Sequence, residues 1–279
     1  MYRGYQVKVS TLSDLFLPTT VNWKDEKAIF KEKIESIQSQ VNMDFSERMK
    51  IEDDDGNIDA EKIVKAWFPV QEYDVFLSHS HADVETAIQL AVWLKKYLGL
   101  KVFVDSTVWG CADELLAKLD KKYCYEQNTG TYDYDKRNET TAHVHSMLAM
   151  ALQEMISKSE CFLFLDSGNS LDLSLWQSQE TKSPWIFEEL KTTSIIEKIR
   201  PSRMVLREEL EHRDNLQKGL DVHYPVGSEL NKLTRLTYED LKSAQTDHQN
   251  NQSMHGLDAL YNRTPLRIAD QFNRGTQTR

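Results

Sequence analysis

Tyr73-Asp74-Val75-Phe76-Leu77-Ser78-His79-Ser80-His81-Ala82-Asp83 is the stretch on which the fold turns. A short apolar run breaks abruptly into polar residues, as a parallel strand buried on both faces does where it leaves its sheet. Downstream, Val84, Ala87, Ile88, Ala91, Val92 and Leu98 recur on one broad helical face. Lys101-Val102-Phe103-Val104-Asp105 repeats the strand with the same polar ending. Ala112 to Tyr123 reads as a helix with Leu115, Leu116, Leu119 and Tyr123 inward. Glu126 to Thr141 is polar and tyrosine-rich and reads as a loop, the body of an insertion over about residues 124–142. His143 to Lys158 is helical, with Val144, Met147, Leu148, Ala151, Leu152, Met155 and Ile156 three and four apart. Cys161 to Asp166 is a third strand, and Ser183-Pro184 opens a helix from Trp185 to about Ile199. Proline costs nothing there, because the first N–H groups of a helix have no internal partner. Strand and helix alternating in this way predict an α/β fold on a parallel sheet with right-handed crossovers.

Outside this core the periodicity is weaker. Residues 1–70 read as an N-terminal extension packed on the core: a short strand at Tyr5 to Val9, an amphipathic helix over Lys24 to Val41 and another over Ile58 to Trp67. The acidic run Glu52 to Asn57 lacks the alternating ligands and closing glutamate of a calcium loop and reads as a solvated turn. Residues 201–279 read as a C-terminal extension, with a possible strand at Val222 to Val226 and helices at Thr237 to Gln245 and Leu257 to Tyr261.

Composition narrows the function. The 279 residues carry a formal charge of −10 and are 40% apolar, so a real core is affordable and wholesale disorder is excluded. An acidic chain of this size repels duplex phosphates, which disfavours general nucleic-acid binding. Asn262 to Arg279 runs the other way, with four arginines against one aspartate, and reads as a solvated tail. Cys111, Cys124 and Cys161 lack CxxC spacing, which argues against a disulfide framework or a zinc ribbon. No signal peptide and no membrane-length apolar run is visible, so a soluble cytoplasmic protein is expected. His143 and His145 with Cys124 invite a metal reading, but residues two apart on a helix point about 200° apart. A helix capped at Thr140-Thr141, with His143 in its first turn, is the preferred reading, and no metal is expected.

In open α/β sheets, ligands bind beyond the carboxyl ends of the strands. Ser78-His79-Ser80-His81, Asp105-Ser106 and Asp166-Ser167 are expected to converge there. In Ser183-Pro184-Trp185-Ile186-Phe187-Glu188-Glu189-Leu190, Trp185 and Glu189 lie four apart and share a helix face. A carboxylate beside an aromatic ring is suited to a developing oxocarbenium ion on a ribose, though such a pair also occurs as ordinary core and rim.

The ordered set YDVFLSHSHAD, KVFVDSTVW, CFLFLDSGNS and SPWIFEEL resembles the Toll/interleukin-1 receptor (TIR) domain over about Glu72 to Arg200. The resemblance implies a flavodoxin-like, three-layer parallel sheet over residues 71–200, with helical N- and C-terminal extensions. Enzymatic TIR domains cleave NAD at the nicotinamide–ribose bond and carry a glutamate four residues after a tryptophan in this helix. By resemblance the catalytic residue is Glu189 and its aromatic partner Trp185. Ser78, Ser80, Phe103, Asp105, Ser106 and Ser167 would line the NAD pocket, with NAD as substrate and no further cofactor. The accessory features are similar to those of stand-alone bacterial TIR proteins, including those of the Thoeris anti-phage system, which convert NAD into ADP-ribose or a cyclic or conjugated ADP-ribose signal. That likeness implies self-association through TIR surfaces and a separate effector reached by a diffusible nucleotide. The alternative is a non-enzymatic scaffold acting by homotypic assembly. A remoter one is a nucleoside deoxyribosyltransferase-like enzyme, in which the glutamate is the nucleophile.

Overall fold

The computed structural model describes residues 1–16, 22–43, 59–67, 72–104, 106–172, 179–204 and 224–265. The acidic run at 52–57 and most of the basic tail lie outside them. The chain forms two compact units, residues 1–27, 72–104 and 156–279 in one and residues 28–71 and 105–155 in the other.

The first unit is built on a five-stranded, wholly parallel sheet in the order β3-β2-β6-β1-β9. Its strands are β1 (Arg3–Lys8), β2 (Val75–Ser78), β3 (Val102–Val104), β6 (Cys161–Asp166) and β9 (Thr234–Leu236). The three apolar runs predicted from sequence are its β2, β3 and β6. Phe76 is central to the core: its ring stacks on Phe162 at 5.8 Å and meets Phe103 at 5.2 Å. Helix α4 (Val84–Leu98) packs on β3 and buries Ala87, Ile88, Leu90, Ala91, Leu94 and Leu98. It stops at Gly99, whose φ of 66° is the left-handed geometry that favours glycine at a helix end.

The extensions are more than helical. Each gives the sheet a strand, because β6 has apolar residues on both faces and would otherwise leave a hydrogen-bonding edge open. β1 pairs with β6 from Arg3↔Cys161 to Lys8↔Asp166, and β9 pairs with β1 from Tyr5↔Thr234 to Val7↔Leu236. Helix α1 (Val9–Phe16) and helix α9 (Tyr238–Asn250) pack on one another, and both touch α4. Thr237 and Asp240 form a capping box at the start of α9. Helix α10 (Gly256–Arg263) packs on α9. The expected strand at Val222 to Val226 is, among described residues, only β8 (Tyr224–Pro225), which pairs antiparallel with β7 (Glu180–Thr181) rather than joining the parallel sheet. Helix α7 (Pro184–Ile195) packs on this small ladder and on α8 (Gly227–Leu230).

In the second unit, α3 (Ala60–Trp67) packs on α5 (Ser106–Leu119), and Lys118 Nζ sits 4.9 Å over the Trp67 ring. Helix α2 (Trp23–Met43) enters this unit from the first. The reading of Glu126 to Thr141 as loop is corrected. A hairpin, β4 (Tyr125–Glu126) with β5 (Thr131–Tyr132), leads directly into α6 (Tyr134–Lys158). The first turns of α6 are exposed, so they carry no apolar stripe to read. They are held by polar ties instead. Asp133 accepts from the Lys136 amide, and buried Asp120 accepts from Arg137 at 2.8 Å and Thr140 Oγ1 at 2.5 Å. Thr140 therefore lies well inside the helix and does not cap it, and His143 and His145 lie mid-helix and exposed, whereas Cys124 is buried.

Candidate active site

Helix α7 begins as its sequence dictates. Ser183 sits in extended backbone and its Oγ accepts the Ile186 amide at 3.2 Å, with Pro184 in the first turn. Trp185 is half-buried in that turn. One turn on, Glu189 is 1% exposed. Its Oε2 accepts a hydrogen bond of 2.5 Å from Ser78 Oγ, at the carboxyl end of β2, one strand in from the sheet edge. Ser78 is itself fully buried, and the neighbouring His79 is 3% exposed. A carboxylate withdrawn from water needs such donors, because burying a charge without them is expensive. Glu188, next in sequence, is half-buried.

A second polar cluster closes the carboxyl end of β6. Ser167 Oγ donates to Asp83 Oδ2 at 2.5 Å and accepts the Asn169 and Ser170 amides, each at 3.1 Å. Asn169 Nδ2 donates to the other oxygen of Asp83 at 2.9 Å. Asp83 stands at the start of α4 and is nearly buried. The loop after β6 is thus tied to the turn His81–Asp83 that follows Ser78. Further along α7, Lys191 donates to buried Glu229 at 2.6 Å. Burial pushes the Glu229 carboxyl up, but the hydrogen bonds from Lys191 and Ser228 outweigh it and hold the group below the usual carboxylate range.

Of the residues singled out in sequence, Ser78 and Glu189 are in contact. Ser167 is close to the same strand ends, but its partner is Asp83. Ser80 is half-buried in the loop after β2. Phe103 is packed mid-strand against Tyr73 and Phe76 and is 6% exposed. Ser106 opens α5 within the second unit; its side chain, and Asp105 altogether, lie outside the description. Sequence reading missed Asp83. An aspartate just before an apolar helix looks like a cap, yet this one makes no cap bond and points to Ser167 and Asn169. Among the described residues no group of three or more His, Cys, Asp or Glu is placed to hold a metal ion, and no helix is long and apolar enough to cross a membrane. Comparison with protein-family models, with curated proteins and with solved structures finds no match to this chain.

Proposed function

We propose that this chain is a TIR-type enzyme that cleaves NAD at the bond between nicotinamide and ribose. One observation carries the reading. Glu189, the carboxylate that the sequence sets one turn after Trp185, is held against Ser78 at the carboxyl end of β2, the edge at which open parallel sheets bind ligands. In this reading the ribose C1′–N bond breaks, nicotinamide leaves with the bonding electrons, and the Glu189 carboxylate stabilises the ribosyl cation. Water or an acceptor hydroxyl then attacks C1′ and loses its proton. Nicotinamide is already a good leaving group, so the protein supplies position and a fixed negative charge in a dry site. NAD is the substrate, and no metal or separate cofactor takes part. The product is ADP-ribose or a cyclic or conjugated form of it, suited to a diffusible signal in anti-phage defence.

The near-complete burial of Glu189 and Ser78 has a corollary: substrate reaches the carboxylate only when covering groups move aside. Low basal turnover, rising on assembly or with a trigger, follows from that. The same burial also favours a second reading, a scaffold in which the Ser78–Glu189 bond merely ties α7 to β2.

The test is mass spectrometry of the full chain with NAD at low and high protein concentration, beside Glu189→Ala and Glu189→Gln. Nicotinamide release that falls about 100-fold or more in both variants is expected, the scale lost when a preorganised electrostatic group is removed. Release undiminished in folded Glu189→Ala refutes the assignment. No release at any concentration, with Glu189→Ala unfolding earlier than Glu189→Gln, favours the scaffold.

A further inference from the structure

The carboxyl ends of β1 and β9 border a cleft of about 340 Å³, away from the Ser78–Glu189 contact in the sheet order. Gln6 lies in its wall and is 2% exposed. Its Nε2 donates to Asp166 Oδ2 at 2.8 Å, which fixes the amide: the carboxylate takes the NH2 group, so the oxygen is turned the other way. That oxygen, Oε1, is buried and has no hydrogen-bond partner among the described residues. A buried acceptor without a donor is unfavourable, and a donor in the cleft that displaces the wall slightly and reaches it would relieve this.

The rim sets the rest of the ligand. Lys8 and Arg235 line the cleft as cations, and Asp14 and Glu239 as anions. All four are exposed, and none forms an ion pair or side-chain hydrogen bond among the described residues. Gln6 and Arg235 are register partners on adjacent parallel strands, so they share a face of the sheet. Two cations balanced by two carboxylates gain little from a bare anion. They suit a molecule that offers acceptors with charge at one end and several O–H donors at the other. The volume is at the lower end of the usual range for ligand pockets, about 300–1,000 Å³, and so of metabolite size.

We propose that this cleft is a second ligand site, for a small polyhydroxylated anion of the sugar-phosphate class. The anionic group lies between Lys8 and Arg235, one hydroxyl donates to Gln6 Oε1, and others donate to Asp14 and Glu239. The site is independent of the chemistry at Glu189. Calorimetric titration of the full chain with ribose 5-phosphate, inorganic phosphate and ribose tests it. Saturable binding of ribose 5-phosphate at millimolar ligand, clearly tighter than that of phosphate or ribose, is expected. Lys8→Ala and Arg235→Ala, both exposed and harmless to the fold, should each weaken it about tenfold, the scale of a charge-assisted hydrogen bond. Gln6→Leu should weaken it too, measured below the melting temperature of that variant. Glu189→Ala should bind as the parent does, which separates this site from the one proposed above. No saturable binding, equal affinity for phosphate alone, or affinity unmoved by the Lys8 and Arg235 variants would overturn the proposal.

Discussion

Asp74 and His255 show how single side chains join distant parts of the first unit. Asp74 precedes β2; its Oδ2 accepts the Lys101 amide at 2.7 Å, and its Oδ1 lies 3.5 Å from His255 Nε2. In its neutral form His255 also caps α10, its Nδ1 accepting the Leu257 amide at 3.3 Å. The hydrogen bond to Asp74 raises the His255 pKa, with burial opposing it. Burial pushes Asp74 up, but His255 and the Lys101 amide outweigh that and leave it lowered. A raised histidine contributes stability that is complete below its unfolded pKa, about 6.5, and is lost as pH climbs through the folded value. A lowered aspartate contributes above its unfolded pKa, about 3.9, and loses this as pH falls. The pair therefore contributes most between about pH 4 and pH 6.5. His255→Asn keeps a capping acceptor and removes the titration. The melting temperature of the parent should exceed that of the variant by more at pH 5.5 than at pH 9, in the window those pKa values set. A gap that is flat in pH contradicts the coupling.

At the scale of elements, the close approach of α10 to the end of α4 depends on a missing side chain. A Cβ on Gly256 would stand 2.0 Å from the Leu98 carbonyl oxygen, backbone that has nowhere to retreat because Gly99 immediately turns the chain. Gly256→Ala should cost about 1–3 kcal/mol, the range for overpacking a well-filled contact. Urea denaturation checks this, and an unchanged midpoint would mean that the helices can slide apart. The elements also explain what sequence could disclose. β2, β3, β6 and α4 are legible because burial on both faces, or on one broad face, leaves an apolar signature. β1 is veiled because Arg3 and Gln6 are polar yet buried, the former stacked over Tyr261 at 4.6 Å and donating to the Thr264 carbonyl at 2.6 Å. β9 is three residues with an exposed arginine, too short for a pattern. The start of α6 is hidden by exposure. In the candidate site, Glu189 is singled out by the resemblance and Ser78 by its position at a strand end, and the structure brings the two into contact. Asp83 and the cleft at Gln6 are not legible in sequence, because they arise from contacts between segments far apart along the chain.

At the scale of the whole molecule, the sheet cannot be cut at the limits of the resembling segment. Residues 72–200 hold β2, β3 and β6 but not the two strands beyond β6. A fragment of those residues would expose the β6 edge along six paired positions, from Cys161 to Asp166. Such an edge recruits other chains. The fragment should be aggregated or unfolded by circular dichroism and size-exclusion chromatography, whereas the full chain is folded. A monomeric, cooperatively melting fragment would refute this.

The placement of β1 also bears on how the chain is made. β1 is translated well before both strands that flank it: β6 ends at Asp166 and β9 begins only at Thr234. At about 5–20 residues per second, β1 waits roughly 8–30 s for its first neighbour. Meanwhile its buried tyrosine and valine, Tyr5 and Val7, stay uncovered on a nascent chain. Among the described strands β1 is translated before every other and yet has no sheet neighbour until β6 has followed, so the nascent chain is expected to carry an unpaired apolar strand until residue 166 has emerged.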